Sequence, residues 1–178
     1  GSDYGGSLRT PASFCGVVGM RPSPGVVAAE SHPVGLLPFS VLGPMGRTVD
    51  DAYLLLQAQA GPNPYDPFAT SPIDELHAQL EMADLGSIRA MLTPDLGMAA
   101  MSAAYRNIFA ERTGLFRHHF ATAIDASPDF TDGDNCFEVL RGVNFVAAHG
   151  ARVRHHRDRR SPNVVDNVDR GLAYSLAD

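Results

Sequence analysis

The chain has 178 residues, 44% of them hydrophobic and 19% charged, with a mean hydropathy of −0.08. This composition excludes the low-hydrophobicity, high-charge class that stays disordered, and the length suffices for one ordinary domain with a real apolar core. Fourteen basic against twenty acidic residues give a net charge of −6. That balance argues against a nucleic-acid partner, because polyanion binding is driven by clustered positive charge.

Residues 1–7 form a glycine-rich loop with no strand ahead of it. Pro11 to Gly16 reads as a helical turn and Val17 to Met20 as a short extended run, ended by Arg21-Pro22-Ser23-Pro24-Gly25, where two prolines force a non-helical path. Residues 25–47 are expected to be extended and loop-rich. Thr48 caps a helix over residues 49–60, with Asp50 and Asp51 in its first turn and Gly61 at the C-cap position. Four prolines, Pro62, Pro64, Pro67 and Pro72, make residues 61–72 a surface loop. Ser87 to Thr93 is a strand stopped by Thr93-Pro94-Asp95-Leu96-Gly97.

A helix over residues 100–120 carries Met101, Tyr105, Ile108, Phe109, Arg112 and Phe116 near one stripe. Phe109, Phe116 and Phe120 read as core. A second helix, over residues 135–151, packs through Phe137, Leu140, Asn144 and Ala147/Ala148, with Gly142 as a weak point. Ser161 as N-cap and Pro162 at the first helical position open a last helix bearing Val165, Val168, Leu172 and Leu176. The chain stops inside that helix and opens on an unsupported loop, so it reads as truncated at both ends. Strands alternating with helices give an α/β class.

The uncharged residues 31–45 are broken by prolines and glycines, which rules out a spanning helix and a membrane role there. Cys15 and Cys136 have no metal-ligand or CxxC spacing and read as reduced, buried thiols, from which a cytoplasmic setting follows. The histidine pairs His118-His119 and His155-His156 split around their helices and read as surface residues, and His149 as helix-end packing. Arg152, Arg154, Arg157, Arg159 and Arg160 form the one basic patch, read as a solvated face. Asp125, Asp129, Asp132 and Asp134 lack the terminal glutamate of a calcium loop and read as an acidic loop, so no metal is expected.

The chemistry lies in Asp3-Tyr4-Gly5-Gly6-Ser7-Leu8-Arg9. Two consecutive glycines leave backbone amides bare, and a hydroxyl follows at once; successive N–H groups of this kind suit a developing oxyanion beside an attacking serine. Asp3 and Arg9 are spaced so that a salt bridge closes the loop. The longer string from Gly1 to Pro22 resembles the second half of the amidase signature, G-(S/T)-D-x-G-G-S-(I/L)-R-x-P-A-x-(F/Y)-C-G-(V/I)-x-G-(L/F/M)-(K/R)-P. Gly43-Pro44-Met45-Gly46-Arg47-Thr48-Val49-Asp50-Asp51-Ala52 and Ala60-Gly61-Pro62-Asn63-Pro64-Tyr65-Asp66-Pro67 are similar to further segments of that family, and Leu92-Thr93-Pro94-Asp95-Leu96-Gly97 and the last helix resemble it more weakly.

The resemblance implies part of the amidase-signature fold, a mixed β-sheet with helices on both faces. Residues 1–67 would be the second half of the signature region and residues 68–178 a variable, helix-rich part of the same partial domain. It implies a hydrolase of carboxylic amides acting through a nucleophilic serine, a bridging serine with a cis peptide bond, and a lysine, without cofactor or metal. Ser7 matches the nucleophile; the amides of Tyr4, Gly5, Gly6 and Ser7 match the oxyanion hole; Asp3 and Arg9 match a loop-bracing pair. The family's lysine and bridging serine lie upstream of the region matched by Gly1, and all fourteen positive residues here are arginine. The chain alone is therefore expected to be inactive or nearly so, because general-base assistance is typically worth about 10²- to 10⁴-fold.

Two alternatives stand beside this reading. One is an inactive fragment or scaffold module. The other is the amidase subunit of a glutamine-dependent tRNA amidotransferase, although Arg21-Pro22-Ser23-Pro24-Gly25 looks more like general amidases than the K-P-T-Y-G run usual in that protein. An incomplete sheet leaves an open edge and an uncovered apolar face, so self-association or a homo-oligomer is expected.

Overall fold

The computed structural model describes residues 1–30, 32–69, 76 and 80–175. Ser31 at the start of the uncharged stretch, Pro72 of the proline-rich loop and Leu176 of the last apolar row lie outside them. The chain divides into two compact units, Gly1–Leu80 and Glu81–Asp178.

In the first unit, β1 (Ser2–Asp3) pairs antiparallel with β3 (Val41–Leu42), and β2 (Val18–Gly19) with β4 (Met45–Gly46). A strand therefore does precede the glycine loop, which hangs between β1 and α1 (Arg9–Cys15). Two-residue strands have no local signature; they exist because residues far along the chain supply the partner. Between β2 and β3 the chain is mostly irregular, as its prolines and glycines dictate. It is tied down by a bridge from Val27 to Ala60 and by the buried carboxylate of Asp66, which accepts from the amides of Ala29 and Phe68, each at 2.8 Å.

Helix α2 (Val49–Gln59) starts at a full capping box: the Thr48 hydroxyl accepts from the Asp51 amide and the Asp51 carboxylate accepts from the Thr48 amide. Gly61 is not its C-cap, however; Ala60 takes that place in an extended conformation. Leu8, Ala12, Val41, Ala52 and Leu56 form the buried core. Cys15 and Cys136 are both exposed, which corrects the expectation of buried thiols. Cys15 is the last residue of a seven-residue helix that buries only Ala12.

The second unit opens with β5 (Arg89–Leu92), which runs parallel to β6 (Thr122–Asp125) in register Arg89 to Thr122, with α3 (Ala103–Phe116) as the crossover. The inward stripe of α3 is not the one the apolar residues mark. Tyr105, Ile108 and Phe116 are exposed, and Thr113 is the buried residue, its hydroxyl donating to the Phe109 carbonyl at 2.7 Å. Helix α4 (Gly133–His156) runs past the expected end at residue 151 and packs on α5 (Pro162–Ala173). Gly142 is where the two helices meet most closely rather than a weak point: a Cβ there would lie 2.8 Å from Gly171 Cα.

Arg170 pairs with Glu138 of α4, Arg141 donates to Asn167, and Arg157 pairs with Asp169, so polar contacts lace the same seam. Ser161 gives α5 no side-chain cap, and the helix ends at Ala173. Val168 is buried, whereas Leu172 is exposed. Among the described residues no helix is long and apolar enough to cross a membrane.

Candidate active site

Asp3 is fully buried at the end of β1, a position set by its pairing with Val41. A buried carboxylate must have its oxygens satisfied, and here the following residues do so. Oδ1 accepts from the Gly6 amide at 2.8 Å and Oδ2 from the Leu8 amide at 3.2 Å, which curls residues 4–8 around the side chain. The Arg9 guanidinium closes a bidentate pair on it, Nε to Oδ2 at 3.0 Å and the second contact at 3.1 Å.

Arg21, a residue that spacing alone did not single out, sits with Nε 3.8 Å from Oδ1 and donates to the Phe39 carbonyl at 3.1 Å. The only signal for it was its place beside Pro22 at the end of the long motif string. Pairing with Arg9 holds the Asp3 carboxyl well below the usual carboxylate range, aided by the two amides and against the opposing effect of burial.

The loop thus held places Gly6 at φ +100°, a left-handed region that favours glycine, with a Cβ there 2.9 Å from the Thr10 hydroxyl. Ser7 is exposed. With Gly5, Gly6, Thr10 and Pro11 it lines a shallow concavity of about 420 Å³. Among the described residues no acceptor takes the amides of Gly5 or Ser7. The Gly6 amide, by contrast, donates to Asp3. Tyr4 packs its ring on Phe39, with centroids 5.9 Å apart. The lining of the concavity includes no titratable base.

A model of the amidase family matches residues 1–170. The chain belongs to the amidase family. It is 33% identical over 158 residues to a mitochondrial glutamyl-tRNA(Gln) amidotransferase subunit of Macaca fascicularis, covering 85% of this chain and 29% of that protein. It is 28% identical over 130 residues to an acylamidase of Rhodococcus erythropolis, covering 73% of this chain and 27% of that one. Among solved structures, a bacterial aryl acylamidase of the amidase signature family superposes with a TM-score of 0.81 at 21% identity, over 99% of this chain and 39% of that one. The chain therefore spans less than a third of the length of these curated relatives, and its α/β class is that of amidase-signature enzymes.

In this amidase chain the other side-chain groups fall into structural roles. Asp66 also meets the His32 ring, Nε2 to Oδ1 at 3.3 Å. Burial pushes the Asp66 carboxyl up, but the amides of Ala29 and Phe68 and the His32 ring outweigh it and leave it below its usual value. His118 and His119 stack on each other. His149 stacks on Phe145 within α4, not at its end, since the helix continues to His156. The basic run at the end of α4 is partly neutralised by the Arg157–Asp169 pair. Among the acidic-loop residues, Asp129 accepts from the Thr131 hydroxyl and amide, which holds a turn.

Proposed function

We propose that this chain carries the nucleophile side of an amide-hydrolysing acyl-transfer site. Ser7 Oγ attacks the carbonyl carbon of a carboxylic amide, and the unengaged amides of Gly5 and Ser7 receive the developing oxyanion. The amine departs with the proton, and water releases the acyl group from Ser7 as a carboxylic acid. Asp3 is the post around which the loop is wound, and Arg9 with the amides of Gly6 and Leu8 keeps it ionised. The observation that carries this reading is the exposed Ser7 beside two free amides on a loop fixed by a buried anion.

The family's proton acceptor is a lysine, of which the chain has none, and the described lining of the concavity holds no base, so this reading assigns the acceptor to a segment other than the loop itself. The two units would then form part of one larger amidase domain, acting on a small amide, in a cytoplasmic setting that suits two exposed, unpaired cysteines. Labelling with a fluorophosphonate probe tests the proposal. The chain alone should label slowly at Ser7, and supplying an upstream segment with the lysine and bridging serine should accelerate labelling by about 10²- to 10⁴-fold. Unchanged labelling in Ser7→Ala, or no acceleration with the segment, would overturn it.

A second reading is favoured by the identity to an amidotransferase component over 85% of the chain: the amide is glutamine, and the released ammonia passes to a partner protein. Glutaminase activity that appears only with partner subunits would select it.

A further inference from the structure

We propose that the second unit holds a separate binding site for a small monocarboxylate with an apolar body, at the carboxyl ends of β5 and β6. This site does not rest on the role of Ser7. The loops that follow the parallel strands β5 and β6 face the crossover helix α3 there and leave a crevice against it. Here that crevice is a cavity of about 520 Å³, within the range of small-molecule sites.

Its frame is rigid. The loop after β5 and the loop after β6 are clamped together by the Ala126 amide donating to the Leu92 carbonyl at 3.3 Å and by the hydroxyls of Thr93 and Ser127, 2.8 Å apart. The remaining wall is one stripe of α3 continued into the following turn. Arg106, Phe109, Thr113 and Arg117 fall at helical spacing and all face the cavity.

The chemistry of the walls selects the ligand. Phe109, Leu92 and Pro94 supply an apolar surface on one side. Two guanidinium groups stand at the same cavity, and neither is fully engaged. Arg106 pairs with Asp95 at 2.8 Å through one terminal nitrogen, and Arg117 uses one terminal nitrogen on Asp125, also at 2.8 Å. The same terminal nitrogen of Arg117 also donates to the Ala123 carbonyl at 3.5 Å, and among the described residues no acceptor takes Nε or the other terminal nitrogen of either arginine.

The Arg117–Asp125 pair is exposed to water on both sides, so it contributes little and exchanges readily with a ligand. A planar carboxylate matches the guanidinium fork. A dianion such as phosphate is disfavoured by the Asp95 and Asp125 carboxylates beside the arginines, and a neutral amide forgoes the charge-assisted bond.

The test is a calorimetric or NMR titration of the full 178-residue chain with phenylacetate, phenylacetamide and inorganic phosphate. Phenylacetate should bind saturably, and phenylacetamide and phosphate at least about tenfold more weakly. Arg117→Gln should weaken phenylacetate by roughly ten- to a hundredfold, the effect of losing a charge-assisted hydrogen bond. Should that variant unfold, Ala110→Leu supplies the control. Ala110 is an exposed helical residue at the cavity, and leucine there preserves helix propensity while filling the space, so binding should vanish with helical circular dichroism unchanged. Equal affinity for phenylacetate and phenylacetamide, or undiminished binding in Ala110→Leu, would overturn the assignment.

Discussion

A carboxylate with no exposure to water is stable only if donors surround it, and Asp3 has two amides and two arginines. Its folded-state acidity is stronger than that of the unfolded chain, whose reference value is 3.8. The stabilisation it provides is thus fully present above that value and is lost as pH falls through it toward the depressed folded value. Arg9 is 58% exposed and its pairing is screened by solvent, so much of the effect comes from the buried amide bonds. Asp3→Asn should cost about 3 kcal/mol at neutral pH, and the gap in unfolding free energy between wild type and variant should narrow steadily as pH falls below about 5, and still be narrowing at about pH 2. A constant gap across that range would contradict the role of the ionised carboxylate. The contact from residue 3 to residue 9 is legible in the sequence because the two lie at the ends of one short loop, whereas the bonds from the Gly6 and Leu8 amides to Asp3 follow from the burial of that carboxylate, which no spacing shows. Arg21 and Phe39 are not legible either, because only the pairings of β1 with β3 and β2 with β4 bring them there.

Among the elements, α2 is readable because its start is written in side chains that act on their own backbone: Thr48 and Asp51 satisfy each other's amides regardless of the rest of the fold. The stripe of α3 is misread for the opposite reason. Its apolar residues Tyr105 and Ile108 stay in solvent, while Phe109 alone of the expected stripe lines the cavity, together with the polar Arg106 and Thr113. Helix α4 shows the same limit in its glycines, which propensity treats alike. Gly142 is pressed against Gly171, whereas a Cβ at Gly150 would meet only Val146 Cγ1, at an ordinary 3.5 Å. Gly142→Ala should therefore destabilise by about 1–3 kcal/mol through overpacking, and Gly150→Ala should stabilise by up to about 1 kcal/mol through helix propensity. Chemical denaturation of the two variants checks the reversal of sign; a shared sign would mean that α4 and α5 do not meet at Gly142.

For the whole chain, alternation of strand and helix conveys the α/β class, but the pairing partners of most strands are not encoded nearby: the described residues hold three two-stranded pieces, two antiparallel and one parallel. Such small pieces cover little surface. Two compact units of about 80 and 100 residues would together expose on the order of 10,000 Å², whereas this chain exposes 12239 Å². The excess includes large apolar side chains in both units: Phe14 and Leu54 in the first, and Met82, Leu115 and Leu172 in the second. Large side chains left this open, such as Phe14 and Met82, are ready to be covered by association, and the aryl acylamidase that this chain superposes on is more than twice as long. The chain by itself should therefore bind a hydrophobic dye and gain apparent mass with concentration in multi-angle light scattering. Its association should persist at high salt, because burial of apolar surface is not screened as ion pairs are. A dye-silent species of 19.0 kDa at all concentrations would show that these side chains are covered within the chain itself.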